Sequence, residues 1–423
     1  MPGLFDELSW RGLVHQVTDD GLAARLDEEH LTAYIGFDPT ADSLHVGHLQ
    51  QMCTLRRLQE HGHRPIALVG GGTGMIGDPS FKSDERVLLS PEVLDANREG
   101  IRAQLARFLD FGDDRAVLAD NRDWLGSVGL LEFLRDVGKS FSVNEMIRKD
   151  SVRARLEGRE QGLSFTEFSY MLLQSWDFVQ LFDRYGCLIQ LGGSDQWGNI
   201  TEGVDLVRRM RGGHAYGLTS PLVTKADGTK FGKTETGTVW LDGARTSPYQ
   251  FFQFWLGTAD SEVGQYLRRF TFLNRLAIED LESATAEHPE RRAAQRALAR
   301  ELTTLVHGAD EAARAERAGD VLFTEDISAL PADDLAAALA DAPSTVVGAG
   351  VLAGGLPIVD ALVTSGLSGS RGAARRDLAA GAVSVNNRRV DGERDLSSDD
   401  ALHGRWVVLR RGRRTQHVLV VER

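Results

Sequence analysis

Residues 33–51, AYIGFDPTADSLHVGHLQQ, do most to limit how this chain can fold, because they spell a strand, a turn and a helix start in one short run. Residues 33–37 read as a buried strand, ended by Asp38 and Pro39, since Pro has no amide donor for a ladder. Asp42 and Ser43 both suit a helix N-cap, and apolar residues then recur at helical spacing at Leu44, Leu49, Met52, Leu55 and Leu58. His45 and His48 therefore share one face of the first turn. A helix N-terminus offers unpaired N–H groups and partial positive charge, and two imidazoles beside Thr40 add donors without a fixed full charge. The pattern outlines an anion site. Histidines three apart can equally form a partly buried face. A zinc site would need a third ligand, and neither Cys53 nor Cys187 belongs to a cluster that supplies one.

Further along, residues 66–69 of RPIALVGGGTGMIG form an apolar run of the length of a buried parallel strand. Gly72, Gly74 and Gly77 then match the spacing of a dinucleotide-binding turn. That turn needs a helix opening through its third glycine, whereas here Asp78-Pro79 follows at once and pushes the preceding residue out of helical geometry. The glycines instead let backbone crowd a ligand. A helix over 91–111, a strand over 116–119, a helix over 124–137, a strand over 187–193 ending in glycines and a helix over 196–211, capped by Ser194 or Asp195, continue the alternation. This builds an α/β fold with a Rossmann-like, doubly wound parallel sheet. Residues 1–30 read as one helix of mixed polarity, with Leu13, Val17, Leu22 and Leu26 as its apolar positions.

Residues 164–185 form a second informative element. Ser164 and Glu167 make a capping box, and apolar residues from Phe168 to Phe182 surround the helix, so it is largely buried. Tyr170, Gln174 and Asp177 fall at i, i+4 and i+7 as one polar stripe. A carboxylate in such a place is costly unless something hydrogen-bonds it, and the helix holds no lysine or arginine before Arg184. A polar ligand would meet that need.

The string HVGH, after a strand and a DPT turn, resembles the HIGH signature of the class I aminoacyl-tRNA synthetases, and YIGFDPTADSLHVGHL is similar to their bacterial tyrosyl branch. Residues 230–234, KFGKT, resemble the degenerate tyrosyl form of the second signature, KMSKS, where two ammonium groups flank a small residue in a geometry suited to a triphosphate. The resemblance implies that Tyr34 and Asp177 hold the phenol of tyrosine, that Asp78, Tyr170 and Gln174 meet its ammonium group, and that Gln190 faces it, with Asn121 near the pocket. It places Gly36, Asp38, Gly47, Gly192, Asp195, Gln196, Lys233 and Thr234 toward ATP. It assigns Thr40, His45, His48, Lys82, Arg86, Lys230 and Lys233 to charge stabilisation on the phosphoryl group, with Mg2+ carried on the ATP and no other metal or bound cofactor. Lys82 and Arg86 lie in the polar loop SFKSDERVLL, similar to a family loop that folds over the leaving pyrophosphate. Ile35 departs from the pattern, since some members carry a cysteine there near the ribose.

A chain of 423 residues is too long for one core. The expected division is a catalytic domain over 1–246, an α-helical tRNA-contacting domain over 247–330, a linker rich in Ala and Gly over 331–355, and a small α+β domain over 356–423. In the helical part, Arg291, Arg292, Arg296 and Arg300 are read along one helix. The net charge is −13, yet residues 356–423 hold twelve Arg, no Lys and eight carboxylates, a net of +4 that leaves −17 before it. SGLSGSRGAARRDLAAGAVSVNNRRV resembles the S4 RNA-binding fold: a helix with Arg371, Arg375 and Arg376, a Gly381 turn, and an alternating strand over 383–390 carrying Arg388 and Arg389, side chains that suit RNA phosphates. No apolar run reaches the roughly twenty residues that cross a bilayer, MPGLFDELSW is not a signal peptide, and two cysteines fit a reducing compartment, so the cytoplasm is expected.

The family resemblance implies activation of tyrosine by ATP, transfer to the 3′ end of tRNA(Tyr), and a homodimer. Two rivals stand beside it. A tryptophanyl-type synthetase shares the fold, but Asp177 with Tyr34 at the side-chain end argues for a phenol. An RNA-binding protein that has lost catalysis would not need intact HVGH and KFGKT.

Overall fold

The apolar runs pair into one six-stranded sheet. In chain order its strands are β1 (Gln16–Val17), β2 (Thr32–Phe37), β3 (Arg64–Val69), β4 (Val117–Asp120), β5 (Cys187–Gly193) and β6 (Tyr216–Ser220), arranged β1-β6-β5-β2-β3-β4. All neighbours run parallel except β1 with β6. Ile66, Ala67, Leu68 and Val69 are all buried, as strands covered on both faces by helices must be. From β2 the chain winds outward to β3 and β4, then returns on the other side through β5 and β6. The switch in direction therefore falls between β2 and β5, where open α/β sheets leave a crevice at the carboxyl ends of their strands.

The structure, a computed structural model, describes residues 3–80, 89–149, 152–153, 156, 163–224, 231–234, 237–322, 327–340, 342–412 and 415–422. Lys82, Arg86 and Lys230 lie outside the described residues; Lys233 and Thr234 are described by their backbone alone. The chain divides into two units, Met1–Asp242 with Ala259–Ala294, and Gly243–Thr258 with Gln295–Arg423. The helical stretch 247–330 is thus shared between them rather than forming a body of its own.

Three local expectations for the first unit are corrected. Residues 1–30 are not one helix but two, Leu4–Trp10 and Leu22–Glu28, with β1 between. Gly12, at φ +68°, ends the first, and the Asp19 side chain accepts from Gly21 N at 2.8 Å ahead of the second. The HVGH helix spans Val46–Glu60 with His45 as its N-cap, not Asp42 or Ser43. Its start is delayed because residues 44–46 are extended against 239–241: Leu241 N donates to Leu44 O at 2.9 Å and Val46 N to Val239 O at 3.1 Å. The expected helix over 124–137 is two, Arg122–Leu125 and Leu130–Asp136, parted by Gly126 and Gly129. Helix Phe165–Tyr185 does carry the Ser164–Glu167 capping box and ends at Gly186, φ +62°.

The second unit is built around a five-stranded sheet of Ser344–Gly348, Val383–Val385, Arg388–Arg389, Trp406–Arg411 and Thr415–Glu422. Alternation sorts its faces. Trp406, Val408 and Val418 pack with Leu330, Leu335 and Leu339, while Val407, Leu409 and Leu419 pack with Ile358, Leu362 and Leu378. Residues 331–355, read as a linker, instead supply helix Ala332–Leu339, strand Ser344–Gly348 parallel to Thr415–Glu422, and helix Ala349–Ala353. The strand expected over 383–390 is a hairpin whose turn, Asn386-Asn387, has φ of +50° and +64°. The four arginines expected along one helix are also parted: Arg291 lies in a 3₁₀ turn, Arg292 reverses the chain at φ +50°, and only Arg296 and Arg300 lie in helix Ala293–His307.

Candidate active site

The crevice at the switch point is a cavity of about 320 Å³. It gathers the whole expected tyrosine set, Tyr34, Asp78, Tyr170, Gln174, Asp177 and Gln190, on one side, and Thr40, His45 and His48 of the phosphoryl set on the other; Lys233 is not among its described lining residues. Gly36, Asp38, Gly47, Gly192 and Asp195 line it as well. Gly36 is exposed although it sits within a central strand, and a β-carbon on it would meet nothing within 4 Å, so a side chain there would fill the cavity. Gly70 crowds the end of β2 instead. A β-carbon on it would come 2.1 Å from Asp38 Oδ1.

At the end lined by Thr40, His45 and His48, helix capping fixes the histidines. His45 Nδ1 accepts from Gly47 N at 3.0 Å and His48 Nδ1 accepts from His45 N at 3.2 Å. Each neutral ring therefore carries its proton on Nε2. The rings are tilted at 39° with centroids 4.0 Å apart. Residues 231–234 return to the same place. Gly232, at φ +78°, lies so close that a β-carbon would come 2.6 Å from Val46 Cγ2. Lys233 follows in a short strand whose partner is Gly237–Thr238. Phe231 stacks on Phe270 at 5.7 Å and meets Tyr266 edge-on at 5.2 Å.

The polar stripe is tied into protein networks. Tyr170 Oη donates to Asp38 Oδ2 at 2.8 Å, and Asp38 Oδ1 accepts from Thr73 Oγ1 at 2.7 Å. Asp78 Oδ2 accepts from Gln196 Nε2 at 2.7 Å, while its Oδ1 accepts from the Ser80 amide and hydroxyl. Asn199 Nδ2 donates to Gln174 Oε1 at 3.0 Å and to Gln196 Oε1 at 3.1 Å. Asp177 does not wait for a ligand: Trp124 Nε1 donates to its Oδ1 at 2.7 Å and Asn121 Nδ2 to its Oδ2 at 2.9 Å. Sequence reading missed Trp124 and Asn199, which lie on other helices and carry no local signal beyond their residue types. Burial pushes the Asp177 carboxyl up to about 8, against the pull of these two donors. Beside it, the Tyr34 hydroxyl and Gln190 Oε1 are buried without a hydrogen-bond partner among the described residues. Burial and the neighbouring Asp177 hold the Tyr34 phenol well above its usual range.

In the second unit, Arg371 donates to both carboxylate oxygens of Asp360, at 2.6 and 2.8 Å, and Arg375 to Glu393 at 2.9 Å. Arg389 Nε is 3.9 Å from Asp391 Oδ1. Arg376 and Arg388 complete the expected set, on helix Arg371–Ala379 and at the start of the short strand Arg388–Arg389.

Residues 26–324 match the family of class I tRNA synthetases for tryptophan and tyrosine, and residues 334–420 match the C-terminal domain of tyrosine–tRNA ligases. The first match alone leaves the amino acid open. The tyrosine–tRNA ligase of Roseiflexus castenholzii is 54% identical over 99% of both chains. The chain belongs to the tyrosine–tRNA ligases. The tyrosine–tRNA ligase of Geobacillus stearothermophilus is 52% identical over 98% of this chain and 99% of its own. Among solved structures, a C-terminally truncated mitochondrial tyrosyl-tRNA synthetase of Aspergillus nidulans superposes with a TM-score of 0.69 at 34% identity, covering 76% of this chain and 95% of that one. As in other tyrosine–tRNA ligases, the substrates are tyrosine, ATP and tRNA.

Proposed function

We propose that the switch-point cavity activates tyrosine with ATP, forming tyrosyl-adenylate and diphosphate, and that the tyrosyl group then passes to the 3′ end of tRNA(Tyr). The observation that carries this reading is the pair of partnerless buried groups, Tyr34 Oη and Gln190 Oε1, beside Asp177 at one end of the cavity. A buried polar atom left unpaired is costly, and a phenol entering there supplies what they lack. Tyr34 and Asp177 then read the phenol hydroxyl, and Asp78, Tyr170 and Gln174 receive the ammonium group.

The chemistry needs no protein nucleophile. The tyrosine carboxylate attacks the α-phosphorus, the bond to the bridging oxygen breaks, and diphosphate leaves with that electron pair. Charge grows on phosphoryl oxygens as the five-coordinate state forms. Nε2–H of His45 and His48, held by the cap, face that charge without reorganising, while the amides of Val46, Gly47 and His48 are already bonded to Val239 O, His45 Nδ1 and His45 O. Thr40 adds a donor, and Lys82, Arg86, Lys230 and Lys233 are assigned to the triphosphate, with magnesium arriving on the ATP as part of the substrate. Gly36, Gly47, Gly192, Asp195 and Thr234 take the nucleotide side.

Arg371, Arg375, Arg376, Arg388 and Arg389 are proposed to meet tRNA phosphates. A homodimer in the cytoplasm completes the reading. Exposed Leu130, Leu131, Leu134, Val143, Ile147 and Phe165 give the first unit an apolar surface that a second copy would cover, and both cysteines are free and buried. No helix among the described residues is long and apolar enough to cross a membrane.

Pyrophosphate exchange with tyrosine, phenylalanine and tryptophan supplied separately tests the central claim. Exchange with tyrosine alone is expected. Exchange supported equally by tryptophan would remove the phenol-reading roles of Tyr34 and Asp177.

A further inference from the structure

A second cavity in the first unit, about 440 Å³, shares no lining residue with the site above. Trp10, Arg11 and Gly12 wall one side; helix Asp260–Phe270, including Arg268 and Arg269, walls another. Arg269 is only 7% exposed, its Nε donates to no described residue, and it has no carboxylate partner among them. Burial without such a partner holds its pKa below the usual arginine range.

The cations around it do not help. Arg11 donates to Glu7 at 2.7 Å and to the carbonyls of Arg268, Thr271 and Leu273. Arg268 bonds Glu282 at 2.6 Å, yet its own Nε is buried with no hydrogen-bond partner among the described residues. The guanidinium carbons of Arg11, Arg268 and Arg275 stand 5.4, 5.3 and 4.9 Å from the Trp10 ring centroid. Arg57, fully buried, gives its terminal nitrogens to the carbonyls of Arg269 and Thr271. Glu7 is already shared between Arg11 and Arg275. Five guanidiniums thus crowd one region with Glu7 and Glu282 bonded to them and Asp260 also lining the cavity, and a buried cation such as Arg269 that bonds no carboxylate among the described residues is costly.

We propose that this cavity binds a small free oxyanion of the phosphate class, with Arg269 as its main donor and Arg268 lining the cavity beside it. A free ion fits better than a phosphate on a polymer, because Arg269 as a residue is only 7% exposed and a folded RNA backbone does not fit over it. Binding would brace the N-terminal segment against residues 260–285.

The test is thermal unfolding and calorimetric titration of the full chain with inorganic phosphate against chloride at matched ionic strength, with saturating tyrosine and a non-hydrolysable ATP analogue occupying the catalytic cavity. Phosphate should raise the melting temperature in a saturable way. Arg269→Met should weaken phosphate binding about tenfold or more while leaving pyrophosphate exchange unchanged. Glu282→Gln, which frees Arg268, should tighten it several-fold and serves if Arg269→Met does not fold. Equal effects of phosphate and chloride, or no response to either substitution, overturn the proposal. So does a loss of tRNA affinity in Arg269→Met without phosphate binding to the parent, which would give the cavity to RNA.

Discussion

Trp124 Nε1 and Asp177 Oδ1 are 2.7 Å apart, so the carboxylate at one end of the cavity is oriented by an indole from a different helix. Trp124→Phe keeps the ring and removes the donor. Losing that buried hydrogen bond should weaken tyrosine binding about tenfold. Pyrophosphate exchange at varied tyrosine reads this as a raised KM for tyrosine with the KM for ATP steady. An unmoved tyrosine KM would reduce Trp124 to packing.

The same carboxyl sets a pH dependence. Folded, Asp177 titrates at about 8; unfolded, near its ordinary 3.8. Between those values the native state holds a proton that the unfolded chain has lost. Its contribution to unfolding free energy therefore falls as pH rises from about 4 to about 8, by up to about 1.4 kcal/mol per pH unit, and is flat above. Asp177→Asn should remove that slope from urea unfolding measured without substrates between pH 5 and 8. Parallel curves for the two proteins would mean that the carboxyl ionises normally.

His48→Ala removes a donor that matters most when charge sits on the phosphoryl oxygens. Single-turnover adenylate formation should slow about 100-fold, while ATP binding at equilibrium changes a few-fold. Equal losses would place His48 in ground-state binding only.

Gly232→Ala puts a β-carbon at φ +78° and against Val46 Cγ2. The segment leading to Lys233 must shift. Adenylate formation should fall at least about tenfold, with tyrosine affinity by equilibrium dialysis unchanged. A variant with wild-type rates would show that the close approach is dispensable.

The tail arginines should divide into two classes. Arg371 and Arg375 are bonded to Asp360 and Glu393, so RNA must displace a carboxylate to use them. Arg376→Gln with Arg388→Gln should flatten the slope of log K against log salt for tRNA by about two, since each phosphate contact adds roughly 0.9. Arg371→Gln with Arg375→Gln should flatten it less. Filter binding across a salt series distinguishes the pairs, and equal changes would deny the carboxylates any competing role.

Local patterns were legible where they are strong. Run length exposed β2, β3 and β5, the i, i+4, i+7 stripe exposed Tyr170, Gln174 and Asp177, and HVGH with KFGKT marked the anion end. What escaped depends on partners distant in sequence. His45 became the cap because residues 239–241 hold 44–46 extended, which no window around Asp42 can reveal. Asp177 found donors on another helix, so its cost was met partly by Asn121 and Trp124 rather than by ligand alone. Residues 331–355 looked like linker because Ala and Gly are weakly informative, yet Ser344–Gly348 is fixed by a strand some seventy positions later.

The chain leaves the first unit at residue 243 and returns at 259. During synthesis the tyrosine end of the cavity is therefore complete in sequence while Tyr266 and Phe270, the floor on which Phe231 rests, are still unmade. Phe231 thus gains its packing partners only after every described residue of the cavity has been made. For the same reason a cut at residue 242 does not release the whole first unit: that fragment carries every described residue of the cavity but lacks Tyr266 and Phe270, on which Phe231 packs.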